Sequence, residues 1–348
     1  MTTGLSARFT DLGRVGHKHK GFTQSGALDT NSHRLANAIM RMPMTNPTIE
    51  VLLGGFKAVA TEDIEITVTG AQANVFINNV RQPLNHRVVW KKDATLQIMQ
   101  PVLGARNYIG CNRHFKTHLF LDSCCAVSRE KTGGMNFDGK GFQIGDEVYY
   151  EDSIILSNAS TIASNNSSTT GLLKNNQRTH NSSANECILH TTSATVALPT
   201  TCIANKYIVR IVLGYQQALF DHKMKARFFN QRFIVSNEAS NMGIRLTGKS
   251  IGQIAVKLYS EGVANGAIQI TPSGLPIIML AERQTIGGYP KMGSIITTDL
   301  PELGQCCPGS IIQFEECDVL TARQEWLLRQ IKMKTFAQNQ LVGISNNE

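Results

Sequence analysis

Charge is scarce in this chain. Only 17% of its 348 residues are Asp, Glu, Lys or Arg, too few to clothe the outer faces of a mostly helical protein. Long apolar runs are missing as well. No stretch approaches the roughly 20 residues that span a bilayer, and the opening MTTGLSARFT has no apolar core of a secretory leader. No membrane association and a cytoplasmic location are therefore expected. Lys and Arg never run longer than a pair and are not interleaved with aromatics, so the net charge of +8 argues for anionic small molecules or an acidic partner rather than nucleic acid. Cysteine is infrequent, with eight residues that include the adjacent pairs Cys124–Cys125 and Cys306–Cys307. That spacing is not a disulfide framework, and reduced thiols in a cytosolic protein are expected. The N-x-S/T sites at Asn158 and Asn181 are then incidental.

Several chemistries lack their motif. There is no G-x-S-x-G elbow and no G-x-G-x-x-G opening a helix. His114 and His118 are four apart, but Phe115 stands where a zinc protease needs Glu, and the spacing to Cys111 and Cys124–Cys125 is irregular. No metal is expected. The stretch GIRLTGKS at 243–250 fits the phosphate-loop pattern, yet its surroundings do not. SNEASNM before it is polar and turn-like, Ile244, Arg245 and Leu246 alternate as in a strand, and IGQIAVKLYSEG after it reads equally well as strand. A coincidental match is the better reading. Ser25 in QSGALDT could be a nucleophile with His17, His19 or His33 as its base. It is equally consistent with a turn in which Ser25 and Asp29 lead into and cap a helix.

What the chain does have is a β pattern. Glycine is abundant at 29 residues, and Val, Ile and Thr are common. From Ile49 onward short period-two segments recur: IEVLLGG, IEITVTG, VFINN, RVVWKKDATLQIM and GFQIGDEVYY, separated by Gly, Asn and Asp turns. YIVRIVLGY and FFNQRFIVSN resume the pattern after residue 200. Helices are expected over 29–41, where Leu35, Ala38, Ile39 and Met42 recur at helical spacing, and over 318–336. Between the β-rich halves lies SNASTIASNNSSTTGLLKNNQRTHNSSAN, too polar to form core. The expected organisation is a first domain over 1–155, a polar insertion or linker over 156–200, and a second domain with a C-terminal helix over 201–336. Internal duplication leaves no repeat strong enough to prove it.

The stretch from Gly266 to Gly309 is the most site-like. Tight turns between strands explain its glycines and Pro290. They do not explain why Arg283, Gln284, Thr285, Tyr289 and Lys291 crowd around them. Cations beside permissive backbone suit a carboxylate, a phosphate or a developing oxyanion.

SGALDTNSHRLAN, IEVLLGG, SNMGIRLTG, GAIQITPSGLPIIMLAERQTIGGYPKMG and TDLPELGQCCPG together resemble the family of 5-oxoprolinase C subunits. This family is also called the allophanate hydrolase subunit 2-like or biotin-dependent carboxyltransferase family, and it includes the antagonist of a sporulation kinase inhibitor. The motifs extend over nearly the whole chain. The resemblance implies a mainly β fold of two cyclophilin-like β-barrel domains with a few helices. It implies a cyclophilin-like B-type partner protein, and an A-type amidohydrolase as a third component that cleaves 5-oxoproline to glutamate with ATP. A carboxyltransferase acting on urea or a related amide with carboxybiotin, and a non-catalytic antagonist that binds a kinase-inhibitor-like partner, are the alternatives. No A-M-K-M biotinylation motif is present, so biotin would arrive on another protein. Both chemistries build negative charge on an amide unit, which assigns charge stabilisation to Arg283 and Lys291 and orientation to Gln284 and Thr285. Ser25, Asp29, Arg245, Gln269, Ser273 and Tyr289 are the candidate substrate-binding residues. IGCNRHF after Tyr108, where the family commonly has a glycine pair, and the Ser/Asn-rich segment depart from the family pattern and bear on substrate choice.

Overall fold

The computed structural model describes residues 2–3, 6–151, 205–254 and 258–342. The segment 156–200, with Asn158 and Asn181, lies outside them. The fold is mainly β, as expected. In the first half, one antiparallel sheet has the strand order Ser6–Thr10, Thr48–Leu52, Leu103–Cys111, Ile64–Gln72 and Val88–Trp90. A second runs Thr2–Thr3, Phe56–Val59, Thr95–Ile98, Val75–Ile77 and Val80–Gln82. Alternation along these strands turns Phe9, Val51, Ile66 and Ile109 from one sheet, and Phe56, Val75, Leu96 and Ile98 from the other, into one shared core.

The second half closes completely. Its seven strands run Lys206–Leu213, Lys291–Ile295, Ala267–Ile270, Pro276–Met279, Gly243–Thr247, Phe233–Val235 and Ile311–Glu316, and the last pairs parallel with the first. Closure removes the exposed sheet edges that invite aggregation. Phe228, Phe233 and Phe314 fill the interior, with Phe228 stacked on Phe314 at 4.5 Å between ring centroids.

Four α-helices occur among the described residues. Helix α1, Thr30–Ile39, is N-capped by Asp29, whose side chain accepts from the Ser32 amide. This is the capping role that the sequence allowed. Helix α2, His222–Asn230, corrects the strand expected across FFNQRFIVSN, since only Phe233–Val235 is extended. Asp221 caps α2, and the buried Met224 and Phe228 sit four apart on its inner face. Helix α3 is the short Leu300–Leu303. Helix α4, Val319–Val342, outruns the expected 318–336. GFQIGDEVYY contributes only the two-residue strand Tyr150–Glu151. The phosphate-loop look-alike is the barrel strand Gly243–Thr247, and no helix follows over 248–254. The expectation of reduced thiols fails at Cys307, which is disulfide-bonded. It holds at Cys124, Cys125, Cys306 and Cys317.

A buried polar network joins the halves. The Arg8 guanidinium donates to Glu50 Oε1 from Nε (3.2 Å) and Nη2 (3.1 Å), and to Glu282 Oε1 from Nη1 at 2.6 Å. Tyr108 donates to Glu50 Oε2 at 2.9 Å. Burial pushes the Glu50 carboxyl upward, but Arg8, Arg106 and the Tyr108 hydroxyl outweigh it and hold the group below the usual carboxylate range. Arg106 donates to Asn241 Oδ1 at 2.9 Å and to the Gly304 carbonyl. The Gln305 side-chain amide donates to Asp29 Oδ2 at 2.7 Å, while its oxygen accepts from the Ala105 and Arg106 amides. Gly304 is required here, because a Cβ would meet the Asp29 amide at 2.7 Å.

Candidate functional site

Four of the expected residues meet in one place. Arg245, Gln269, Gln284 and Tyr289 line a cleft of about 560 Å³ on the second barrel, with Met242 and Met279 on its apolar side. The barrel supplies the geometry. Arg245 pairs with Ile277, and Gln269 lies between Ile277 and Lys291 in the ladder, so these two side chains come from the strands on either side of Pro276–Met279. Gln284 and Tyr289 come from the loop that returns to the Lys291–Ile295 strand.

Gln269 is 1% exposed, and its Nε2 has no hydrogen-bond partner. A buried amide donor left without a partner costs on the order of 1–3 kcal/mol. Gly287 makes room for it. A Cβ there would meet Gln269 Nε2 at 2.8 Å and Gln284 Nε2 at 3.1 Å. Arg245 is ion-paired with Glu238 at 3.0 Å, and both side chains are largely exposed. The cleft thus presents amide, phenol and guanidinium donors beside two thioether side chains, a mixture suited to a small, flat, polar molecule.

The other expected residues lie elsewhere. Arg283 is 2% exposed. It donates from Nε to the Val263 carbonyl at 2.9 Å and from Nη1 to the Leu280 carbonyl at 3.0 Å, and Nη2 has no partner. No carboxylate pairs with it among the described residues, and burial pushes its pKa down to about 10. It remains a cation at neutral pH and is not among the residues that line the cleft. Lys291 is not free for a substrate. Its ammonium is bound to Glu261, which it holds below the usual carboxylate range, and its amide donates to Gln216 Oε1 at 2.8 Å. Thr285 serves through its carbonyl, which accepts from the Val263 amide at 3.0 Å. Ser273 sits in an exposed turn, its hydroxyl 2.7 Å from that of Thr271.

Ser25 and Asp29 belong to the junction between the halves. The Ser25 amide donates to the Ala281 carbonyl at 3.0 Å, its hydroxyl lies 3.5 Å from Glu282 Oε1, and its φ is +55°. The partners Glu261, Arg8, Arg106, Glu282 and Gln305 were not singled out from sequence, because each pairs across 30 or more residues. His114 Nδ1 bonds Asn46 Oδ1. Among the described residues, the cluster with metal-ligand chemistry is Asp11, Cys124 and Cys125. The Asp11 oxygens there already accept from the Gly13 and Cys124 amides, the Ser123 hydroxyl and the Cys125 thiol.

A mainly β chain with this cleft and this polar junction belongs to a known class. Residues 20–316 match the family described as carboxyltransferase domain, subdomain A and B, and the chain is a member of it. Among individual proteins, it is 25% identical over 332 residues to the C subunit of 5-oxoprolinase from Haemophilus influenzae, covering 94% of both chains. It is 24% identical over 314 residues to urea amidolyase of Saccharomyces cerevisiae, covering 87% of this chain and 16% of that protein. The crystal structure of the K. lactis urea amidolyase superposes with a TM-score of 0.75 at 19% identity, over 96% of this chain and 19% of that one. Among the described residues no helix is long and apolar enough to cross a membrane.

Proposed function

We propose that the chain is the C-type subunit of an ATP-dependent 5-oxoprolinase complex, acting with a B-type partner protein and an A-type amidohydrolase to open 5-oxoproline to L-glutamate. The observation that carries this reading is the end-to-end correspondence, 94% of both chains, with the C subunit of a 5-oxoprolinase. The cleft supports it chemically. A lactam offers one carbonyl acceptor, and 5-oxoproline adds a carboxylate. The unpartnered Gln269 Nε2 matches the first need and the Arg245 guanidinium the second, while Gln284 and Tyr289 supply further donors. Activating the lactam oxygen with the γ-phosphoryl of ATP transfers charge through the amide unit. Fixed donors aimed at that unit lower the barrier because they need no reorganisation. Where ATP binds is assigned to the assembled complex rather than to this chain.

The second reading is carboxyl transfer from carboxybiotin to urea, favoured by the family description and by the urea amidolyase match. Urea is also a flat amide with one carbonyl acceptor, so the cleft serves either chemistry. Reconstitution separates them. The leading reading predicts ATP hydrolysis that rises on addition of 5-oxoproline once all three components are present. ATP hydrolysis indifferent to 5-oxoproline in a stable three-component complex rejects it, and carboxylated urea formed from a carboxybiotin carrier establishes the second.

A further inference from the structure

Among the described residues that line the cleft, Arg245 is the one cation and Glu238 the one carboxylate. A short loop brings them together. It covers residues 236–242, between the barrel strands Phe233–Val235 and Gly243–Thr247, and it is tied at both ends to the strand that carries Arg245. The Ser236 amide donates to the Arg245 carbonyl at 2.9 Å, and Ser240 and Gly243 exchange amide-to-carbonyl bonds at 3.0 and 3.2 Å. Between these ties the Ala239 amide donates to the Ser236 carbonyl at 3.3 Å and the Glu238 amide to Ser236 Oγ at 3.2 Å, a serine-stabilised turn that presents Glu238 to the cleft. The ion pair that results is a loose one. Glu238 Oε2 lies 3.0 Å from Arg245 Nε, with side chains 72% and 55% exposed. Exposed pairs of this kind contribute little, and a guanidinium accepts a ligand carboxylate through two parallel bonds. Lys291 is the contrast. Its side chain is 10% exposed and bound to Glu261, so it is fixed as part of the fold, whereas Arg245 can change partners.

We propose that Glu238 is a built-in competitor at the cleft: its carboxylate holds the Arg245 guanidinium until the carboxylate of an incoming lactam acid takes its place. The exchange costs little, because Glu238 is already mostly in water and is released into it. A simple anion has to displace Glu238 with nothing else to hold it. A lactam acid has a second anchor, its carbonyl on the Gln269 amide, whose Nε2 has no other partner. A neutral amide of the size of urea has no charge to offer Arg245 and leaves the pair intact. Glu238 thereby sets the affinity of the cleft for carboxylates without touching its affinity for neutral amides, which makes it a specificity residue rather than a catalytic one.

This inference rests on the 5-oxoprolinase reading above, and the experiment separates the two. The three-component complex is assembled with the wild-type chain, with Glu238→Gln, with Arg245→Gln and with both substitutions together. ATP hydrolysis dependent on 5-oxoproline gives kcat and KM at low and high KCl. The lactam without a carboxylate, 2-pyrrolidinone, is titrated as a competitive inhibitor. The expected result is that Glu238→Gln lowers KM for 5-oxoproline about two- to fivefold, the range an exposed ion pair spans. The change falls on KM rather than kcat and shrinks at high salt, and the inhibition constant of 2-pyrrolidinone does not move. Arg245→Gln raises KM, and adding Glu238→Gln to it changes nothing further, since no guanidinium remains to compete for. A KM that Glu238→Gln leaves unmoved or raises overturns the competition and leaves the 5-oxoprolinase reading standing. So does a fall in KM that persists in the Arg245→Gln background, which is simple repulsion, or a 2-pyrrolidinone constant that falls in parallel. A wild-type complex whose ATP hydrolysis ignores 5-oxoproline overturns both.

Discussion

Replacing Arg283 with Met should stabilise the protein while impairing the complex. The guanidinium is 2% exposed, has no acidic partner among the described residues, and burial pushes its pKa down to about 10. Keeping the group charged in that surrounding costs on the order of 3 kcal/mol. For a cation with a depressed folded pKa, the sign is a penalty present in full below about pH 10 and relieved above it, so it applies at neutral pH. Against this stand two hydrogen bonds. The Leu280 carbonyl keeps the Arg283 amide at 3.1 Å, so mainly the Val263 carbonyl is orphaned, at about 1–2 kcal/mol. The net is a gain on the order of 1 kcal/mol, read by urea unfolding at pH 7.5. In the reconstituted complex, 5-oxoproline-dependent ATP hydrolysis should fall at least tenfold, because a buried cation with no acidic partner acts over a distance through the low-dielectric interior. Destabilisation by more than about 2 kcal/mol would show instead that the cation is structural. Unchanged turnover would show that its charge does not reach the cleft.

Two further outcomes follow from the buried charges. His33 is fully buried, bonded at Nδ1 to Thr48 Oγ1 at 2.9 Å, and burial pushes its pKa down to about 4. The unfolded chain binds a proton near pH 6.5 that the folded one refuses, so stability is lost as pH falls from about 6.5 toward 4, by on the order of 3 kcal/mol in all. His33→Gln should remove that part of the slope in unfolding titrations at pH 7 and 5, and an identical slope would count against it. Arg8→Met should leave Glu50 and Glu282 without their shared cation. The loss should be about 3–5 kcal/mol by urea unfolding, and a change below about 1 kcal/mol would mean the network is solvated.

Local patterns made much of this fold readable. Period-two segments became strands, and Asp29 before an apolar-periodic run became a cap. FFNQRFIVSN misled because Phe228 and Phe229 have high strand preference. The competing signals were Asp221 as a cap and the Met224–Phe228 spacing of four, and tertiary packing against Phe314 decided between them. At the site, the return loop was legible as chemistry through Gln284 and Tyr289, whereas Arg245 and Gln269 became candidates only with the family resemblance, and the cleft brings the four side by side. Lys291 was not separable from them, because Glu261 neutralises it from 30 residues away. Nor does a sequence tell which donor ends up empty. The unpartnered Gln269 amide and the unpaired Arg283 emerge only when every neighbour is in place.

Whether the cleft around Gln269 holds the amide unit is decided by Gln269→Leu in the assembled three-component complex. Removing an unpartnered buried amide leaves stability unchanged or slightly raised. The expected outcome is an unchanged or higher melting temperature with at least a tenfold fall in kcat/KM for 5-oxoproline, the equivalent of one lost hydrogen bond of about 1.4 kcal/mol. An intact complex that turns over 5-oxoproline with undiminished kcat/KM would mean that the amide unit binds elsewhere.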